Sequence, residues 1–266
     1  MPSQLRRRFP LALASAMLLT LGTTGVAAAS ADPQGGAGSP AKTTRGYDIS
    51  WPQCGAAYPS SPAFGIVGVN RGIVFSSNPC LASEITWAGG TRTQLYANTA
   101  NPGPGLSSHW PTGQTSPRSC SAADPDTADC AYDYGWNAAA DSYADAVAAW
   151  SGLRLSGSPA GSPWWFDVET GNSWRTDTSL NVAALSGAVA SLQSVGVSRL
   201  GFYSTTAQWT TITGGTTAFA AYPSWGAGAP SLRIAQGHCA STPGFTGGPL
   251  ALVQYPYQGF DADLAC

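Results

Sequence analysis

Pro163-Trp164-Trp165-Phe166-Asp167-Val168-Glu169 is a bulky apolar run that ends in two carboxylates spaced i and i+2. Strand side chains alternate faces, so Asp167 and Glu169 point the same way. Pro163 suits a strand's first residue, and Thr170-Gly171-Asn172-Ser173 reads as the loop that follows. The pair then sits at the carboxyl end of a buried strand, where parallel α/β folds keep their chemistry. Asp-x-Glu recurs by chance, and its position is what gives it force. Only one other glutamate, Glu84, occurs in the chain. Two carboxylates around one cleft suit glycoside hydrolysis. One donates a proton to the leaving oxygen, while another stays ionised beside an oxocarbenium-like centre.

Further carboxylates recur at strand ends. Asp48 lies in Gly46-Tyr47-Asp48-Ile49-Ser50, the first strand, and Asp261 closely follows the last. Closing a barrel makes first and last strands neighbours, which would bring Asp48 and Asp261 to one mouth. The alternatives are a turn aspartate at Asp48 and a solvated terminal loop at Asp261 and Asp263. Trp51, Trp174, Tyr203, Trp225 and Tyr255 fall at or just past strand ends, where aromatic faces can stack on sugar rings. Trp87, Trp150 and Trp209 read as helical core residues.

The elements that must position these groups alternate between strand and helix. Strands are expected at 46–50, 64–70, 93–99, 164–169 and 199–204, with the clearest helices at 137–150 and 180–195. Past about Gly214 the helical signal stops, and strand-like runs follow at 222–227, 232–236 and 250–255. The pattern predicts an α/β, TIM-like (β/α) barrel of five β/α units followed by three strands. An open doubly wound sheet is the alternative from periodicity alone. Residues 100–135 form a long insertion carrying Cys120 and Cys130, either an ordered groove wall or a stapled decorative loop.

Composition narrows the partners. Arg6-Arg7-Arg8, the apolar run from Leu11 to Val26 and Ala29-Ser30-Ala31 predict a signal peptide over residues 1–31 and a secreted protein. Residues 32–45 read as a flexible leader, and 46–266 as one barrel domain, expected to be a monomer. Without the three signal arginines, nine basic residues face fourteen acidic ones, a net charge of −5. No cationic cluster suits nucleic acid or an anionic membrane, so a neutral polar polysaccharide fits better. Cys54, Cys80, Cys120, Cys130, Cys239 and Cys266 read as three disulfides. Fifteen pairings are open, and order along the chain favours 54–80, 120–130 and 239–266. No metal site is expected, because Cys-x-x-Cys pairs and His clusters are missing and His109 and His238 stand alone. The sequence has no phosphate-binding glycine loop, Gly-x-Ser-x-Gly elbow or His-Glu-x-x-His, so no cofactor is expected either.

Several short blocks occur in one order: Gly46-Tyr47-Asp48-Ile49-Ser50, Trp165-Phe166-Asp167-Val168-Glu169, Gly201-Phe202-Tyr203-Ser204, Ser224-Trp225-Gly226-Ala227, Gln254-Tyr255 and Phe260-Asp261-Ala262-Asp263. That order resembles glycoside hydrolase family 25, the N-acetylmuramidase or lysozyme family. The resemblance implies a barrel that cleaves the N-acetylmuramic acid β-1,4 bond of peptidoglycan. It implies Glu169 as general acid and Asp167 as the group that orients the substrate's acetamido arm. Asp48 and Asp261 would complete the carboxylate ring, and Tyr203, Trp225 and Gln254 would line sugar subsites. The chain departs from the family pattern at Asn70-Arg71-Gly72-Ile73, at Tyr96-Ala97-Asn98, in its cysteines and in the insertion. These departures keep a second expectation open, a catalytically silent wall-binding module on the same barrel.

Overall fold

The computed structural model describes residues 45–266. The expected signal peptide and nearly all of the expected leader lie outside them. Arg45, placed in the leader above, is already the first residue of a strand.

Eight strands close into a barrel in sequence order: β1 (Arg45–Ile49), β2 (Gly65–Gly68), β3 (Gln94–Asn98), β4 (Trp164–Asp167), β5 (Leu200–Ser204), β6 (Ser224–Gly226), β7 (Leu250–Tyr257) and β8 (Phe260–Ala265). Strands β1 to β7 pair in parallel, while β8 runs antiparallel to both β7 and β1. Helices α1 (Leu81–Ala88), α2 (Ala128–Gly152), α3 (Thr178–Ser194), α4 (Thr206–Thr213) and α5 (Leu232–Ser241) follow β2 through β6 in turn. The barrel is the one the sequence predicts, but its last third is arranged differently.

Leu232–Gln236 is helix rather than strand, and the eighth strand is Phe260–Ala265. Leu232-Arg233-Ile234 alternates apolar and polar with a period of two, which mimics a strand. The competing signal is Ser231, whose side chain caps the helix by accepting from the Ile234 backbone N–H. Val168 and Glu169 likewise lie just beyond β4 rather than within it.

The expected insertion is shorter than 100–135, because α2 starts at Ala128. Thr127 caps it, its hydroxyl accepting from the Cys130 N–H. Gly135 on α2 and Gly187 on α3 let these helices touch backbone to backbone. A Cβ on Gly135 would stand 1.8 Å from the Ala184 carbonyl oxygen, and one on Gly187 1.9 Å from that of Tyr132.

Alternation across each strand builds two cores. Outward residues such as Val67, Leu95, Phe166 and Phe202 pack under the helices against Ile85, Leu185 and Trp209. Inward residues Ile66, Trp165, Trp225 and Leu252 fill the barrel's interior. Their bulk needs empty positions opposite. Gly201 pairs with Trp165 across the β4–β5 ladder, and a Cβ there would meet the Trp165 ring at 2.3 Å. The disulfides are Cys54–Cys80, Cys120–Cys130 and Cys239–Cys266, the pairing that chain order favours. The last ties α5 to the end of β8.

Candidate active site

A cavity of about 170 Å³ opens at the carboxyl end of the strands, lined by Asp48, Tyr96, Asp167, Glu169, Tyr203, Trp225, Gln254 and Asp261. All four expected carboxylates therefore converge. Asp48 and Asp261 are direct cross-strand partners at the β1–β8 seam, the adjacency that closure demands.

Asp167 ends β4 almost wholly buried. One carboxyl oxygen, Oδ2, accepts from the Asn98 side-chain amide, and its backbone carbonyl accepts from the Thr99 hydroxyl at 2.6 Å. The other, Oδ1, has no partner within the protein. Burial holds this carboxyl well above the ordinary range, and the nearby charges of Glu169 and Asp48 push it the same way. Asn98 is itself fixed by Asn70. Asn70 Oδ1 accepts from the Asn98 N–H, and Asn70 Nδ2 donates to the Asn98 carbonyl, both at 3.1 Å. Two departures from the family pattern, Asn70 and Asn98, thus form one linked support for Asp167.

Glu169 is half-buried, two residues past the strand. Gln208, in the first turn of α4, donates from Nε2 to Glu169 Oε1 at 3.2 Å, and the Trp174 indole donates to the Glu169 carbonyl at 2.8 Å. The loop is held at both ends of the residue, which limits where the carboxyl can swing.

Asp48 accepts from Gln254 Nε2 at 2.9 Å, and the Tyr203 hydroxyl donates to Gln254 Oε1 at 2.8 Å. Burial is the main cause of an Asp48 carboxyl pushed up to about 7, and the charge of Asp261 adds to it. Below Asp48 lies Asp263, fully buried, with Oδ1 accepting from the Trp225 indole at 2.8 Å. Burial first, then the charge of Asp48, raises Asp263 well above the carboxylate range. Asp261 is open to solvent at the rim, and partial desolvation raises it too. Burial thus raises Asp48, Asp167, Asp261 and Asp263 together, the kind of perturbation that clusters at functional sites.

Two expected substrate-binding residues are elsewhere. Tyr255 alternates with Gln254, so it faces outward into the packing around Tyr47 and Ala235, and its hydroxyl accepts from Arg45 Nε at 2.8 Å. Trp51 sits in the turn after β1 beneath the Arg71 guanidinium, 5.1 Å from its ring, outside the cavity wall. Trp225 reaches the cavity chiefly as floor, with its polar edge committed to Asp263. Sequence reasoning missed Tyr96, Asn98, Gln208 and Asp263. Tyr96 and Asn98 share the inward period of β3, and Asp263 repeats the i, i+2 spacing that singled out Asp167 and Glu169. Gln208 carries no comparable signal.

A family model described as Lysozyme-like protein 1 matches residues 140–228, a span that includes Asp167 and Glu169. A Dictyostelium discoideum protein, a probable GH family 25 lysozyme 4, is 41% identical over 61 residues, covering 23% of this chain and 28% of the relative. Among solved structures, muramidases from Acremonium alcalophilum and Trichobolus zukalii align over 84% of this chain and 93% of theirs. Their TM-scores are 0.51 and 0.50, at 17% and 18% identity, so the likeness is one of fold. The eight-stranded barrel, which here gathers acids at its open end, is the fold these muramidases share with this chain. The chain is thus similar to glycoside hydrolase family 25 over part of its length, and it spans under a third of the curated relative it matches.

Proposed function

We propose that this protein is a secreted, monomeric N-acetylmuramidase, cutting the β-1,4 bond after N-acetylmuramic acid in peptidoglycan. The observation that carries this reading is the convergence of Asp48, Asp167, Glu169 and Asp261 on one cavity at the carboxyl end of the barrel. Glu169, the half-exposed member held by Gln208, donates its proton to the leaving oxygen. Asp167 directs its unpartnered Oδ1 to the N–H of the substrate's acetamido group, whose carbonyl oxygen bonds to the anomeric carbon as the glycosidic bond breaks. Glu169, now ionised, takes a proton from the water that then opens this intermediate. Asp48 and Asp261 stabilise positive charge developing on the sugar, and Tyr203 and Gln254 set the geometry of Asp48.

Three disulfides support an oxidising, extracellular setting. Among the described residues, no helix is long and apolar enough to cross a membrane. The test is release of new reducing N-acetylmuramic acid ends from purified peptidoglycan, measured by mass spectrometry. Binding to the wall without release would make the barrel a silent glycan-binding module instead.

A further inference from the structure

A second cavity, of about 450 Å³, has more than twice the volume of the first. Three segments wall it: Ile73–Phe75 from the β2–α1 connection, the stretch from Ala100 to His109 after β3, and Gly171–Ser173. The last belongs to the loop that carries Glu169, so one wall of the groove starts two residues from the carboxylate site. Ile73 (66% exposed) and Leu106 (80%) are the most exposed large apolar side chains among the described residues, and both line this groove. Such paired exposure marks a contact surface rather than scattered surface hydrophobes.

The groove is also held open in advance. Phe75 has φ +57°, a left-handed conformation that bulky side chains avoid. Its ring stacks on His109 at 4.2 Å between centroids and meets the edge of Tyr134 at 5.4 Å. Strained backbone of this kind persists only where the surroundings fix it. Cys120–Cys130 staples the outer wall to α2, and Trp110 stacks on Tyr134 at 5.1 Å. The Arg175–Asp126 ion pair joins the same wall to the β4–α3 loop. A wall fixed before binding saves the ordering cost at the moment of contact.

We propose that this groove is a lateral subsite for the short, methyl-rich peptide branch that N-acetylmuramic acid carries in peptidoglycan. The proposal deepens the muramidase reading and rests on it. The lining contains no Asp, Glu, Lys or Arg, in contrast to the acid-ringed sugar site. Sugar hydroxyls laid against Ile73 and Leu106 would lose their water without gaining partners. Alanine methyl groups would bury alkyl surface there, and Ser107, Ser108 and Asn172 in the lining offer hydrogen-bonding partners to the peptide's amides.

The test compares two ligands and two substrates on the intact protein. Calorimetric titration with N-acetylmuramyl dipeptide should give affinity about tenfold tighter than N-acetylmuramic acid alone, a difference of ~1.4 kcal/mol. The double variant Ile73→Ser/Leu106→Ser should abolish that difference, and Val195→Ser, exposed elsewhere, should keep it. In kinetics, peptide-bearing strands should be cut with a lower KM than strands stripped by an amidase, and the double variant should bring the two together. Equal affinities in the wild type, or a preference that survives the double variant, would overturn the subsite. If neither strand is cut while the affinity difference stands, the muramidase reading fails and the subsite does not. Cleavage without any peptide preference sinks the subsite alone.

Discussion

The Tyr203 hydroxyl donates to Gln254 Oε1, and this bond decides which end of the Gln254 amide meets Asp48. With its oxygen occupied by Tyr203, Gln254 can present only its NH2 group to the carboxyl. Tyr203→Phe frees the amide to rotate and offer its oxygen to Asp48 instead. Turnover of peptidoglycan should fall about tenfold, the scale of one misplaced active-site hydrogen bond, with little change in Tm. An unchanged rate would show that Asp48 needs no such orientation.

Stability should decline as pH rises. Asp48 and the fully buried Glu84, which accepts from Asn78 Nδ2 at 2.7 Å, are both pushed up to about 7, chiefly by burial. Unfolded, both would titrate near pH 4. The native state therefore holds more protons between roughly pH 4 and 7, and the stability this confers is lost as pH climbs through about 7. Thermal denaturation should give a Tm several degrees higher at pH 5 than at pH 8, and Glu84→Gln should flatten part of that slope. A Tm that rises with pH over this range would contradict raised carboxyls at Asp48 and Glu84.

The α2–α3 contact should not tolerate a methyl group. Gly135→Ala or Gly187→Ala drives a Cβ into a facing backbone carbonyl, and neither helix backbone can yield cheaply. Each should cost about 3 kcal/mol or more, read as a lowered midpoint in urea. A neutral result would mean that the helices can slide apart without loss.

Removing the 120–130 disulfide tests whether the groove wall is preformed. The bridge closes a short loop, so Cys120→Ser/Cys130→Ser should lower stability by about 2–3 kcal/mol. The more telling measurement is hydrogen exchange. Protection should fall across residues 100–127 and stay intact in the barrel strands.

The legible part of this fold is the part that repeats. Strand alternation locates the barrel's first five strands, and closure alone puts Asp48 beside Asp261. What hid was local competition. Leu232-Arg233-Ile234 reads as a strand by period, and only the Ser231 cap reveals the helix. Gln254 and Tyr255 are both expected at the site, but a strand-end position does not say which face a side chain takes, and only Gln254 lines the cavity. Asp263 hid behind a terminal position that suggested solvent, and a fully buried acid there is visible only once β8 is seen to close the barrel. Gln208 reaches Glu169 from the next helix, a relation no spacing encodes.

We propose that Glu169 supplies the proton for bond cleavage while the rest of the ring holds the sugar. The protein and its Glu169→Gln variant should be incubated with purified peptidoglycan, and the released fragments read by mass spectrometry. Reducing N-acetylmuramic acid ends from the wild type, with release at least about a thousandfold slower from a variant that still sediments with the wall, is the predicted result. Equal release by both proteins, or none by either, would contradict the account.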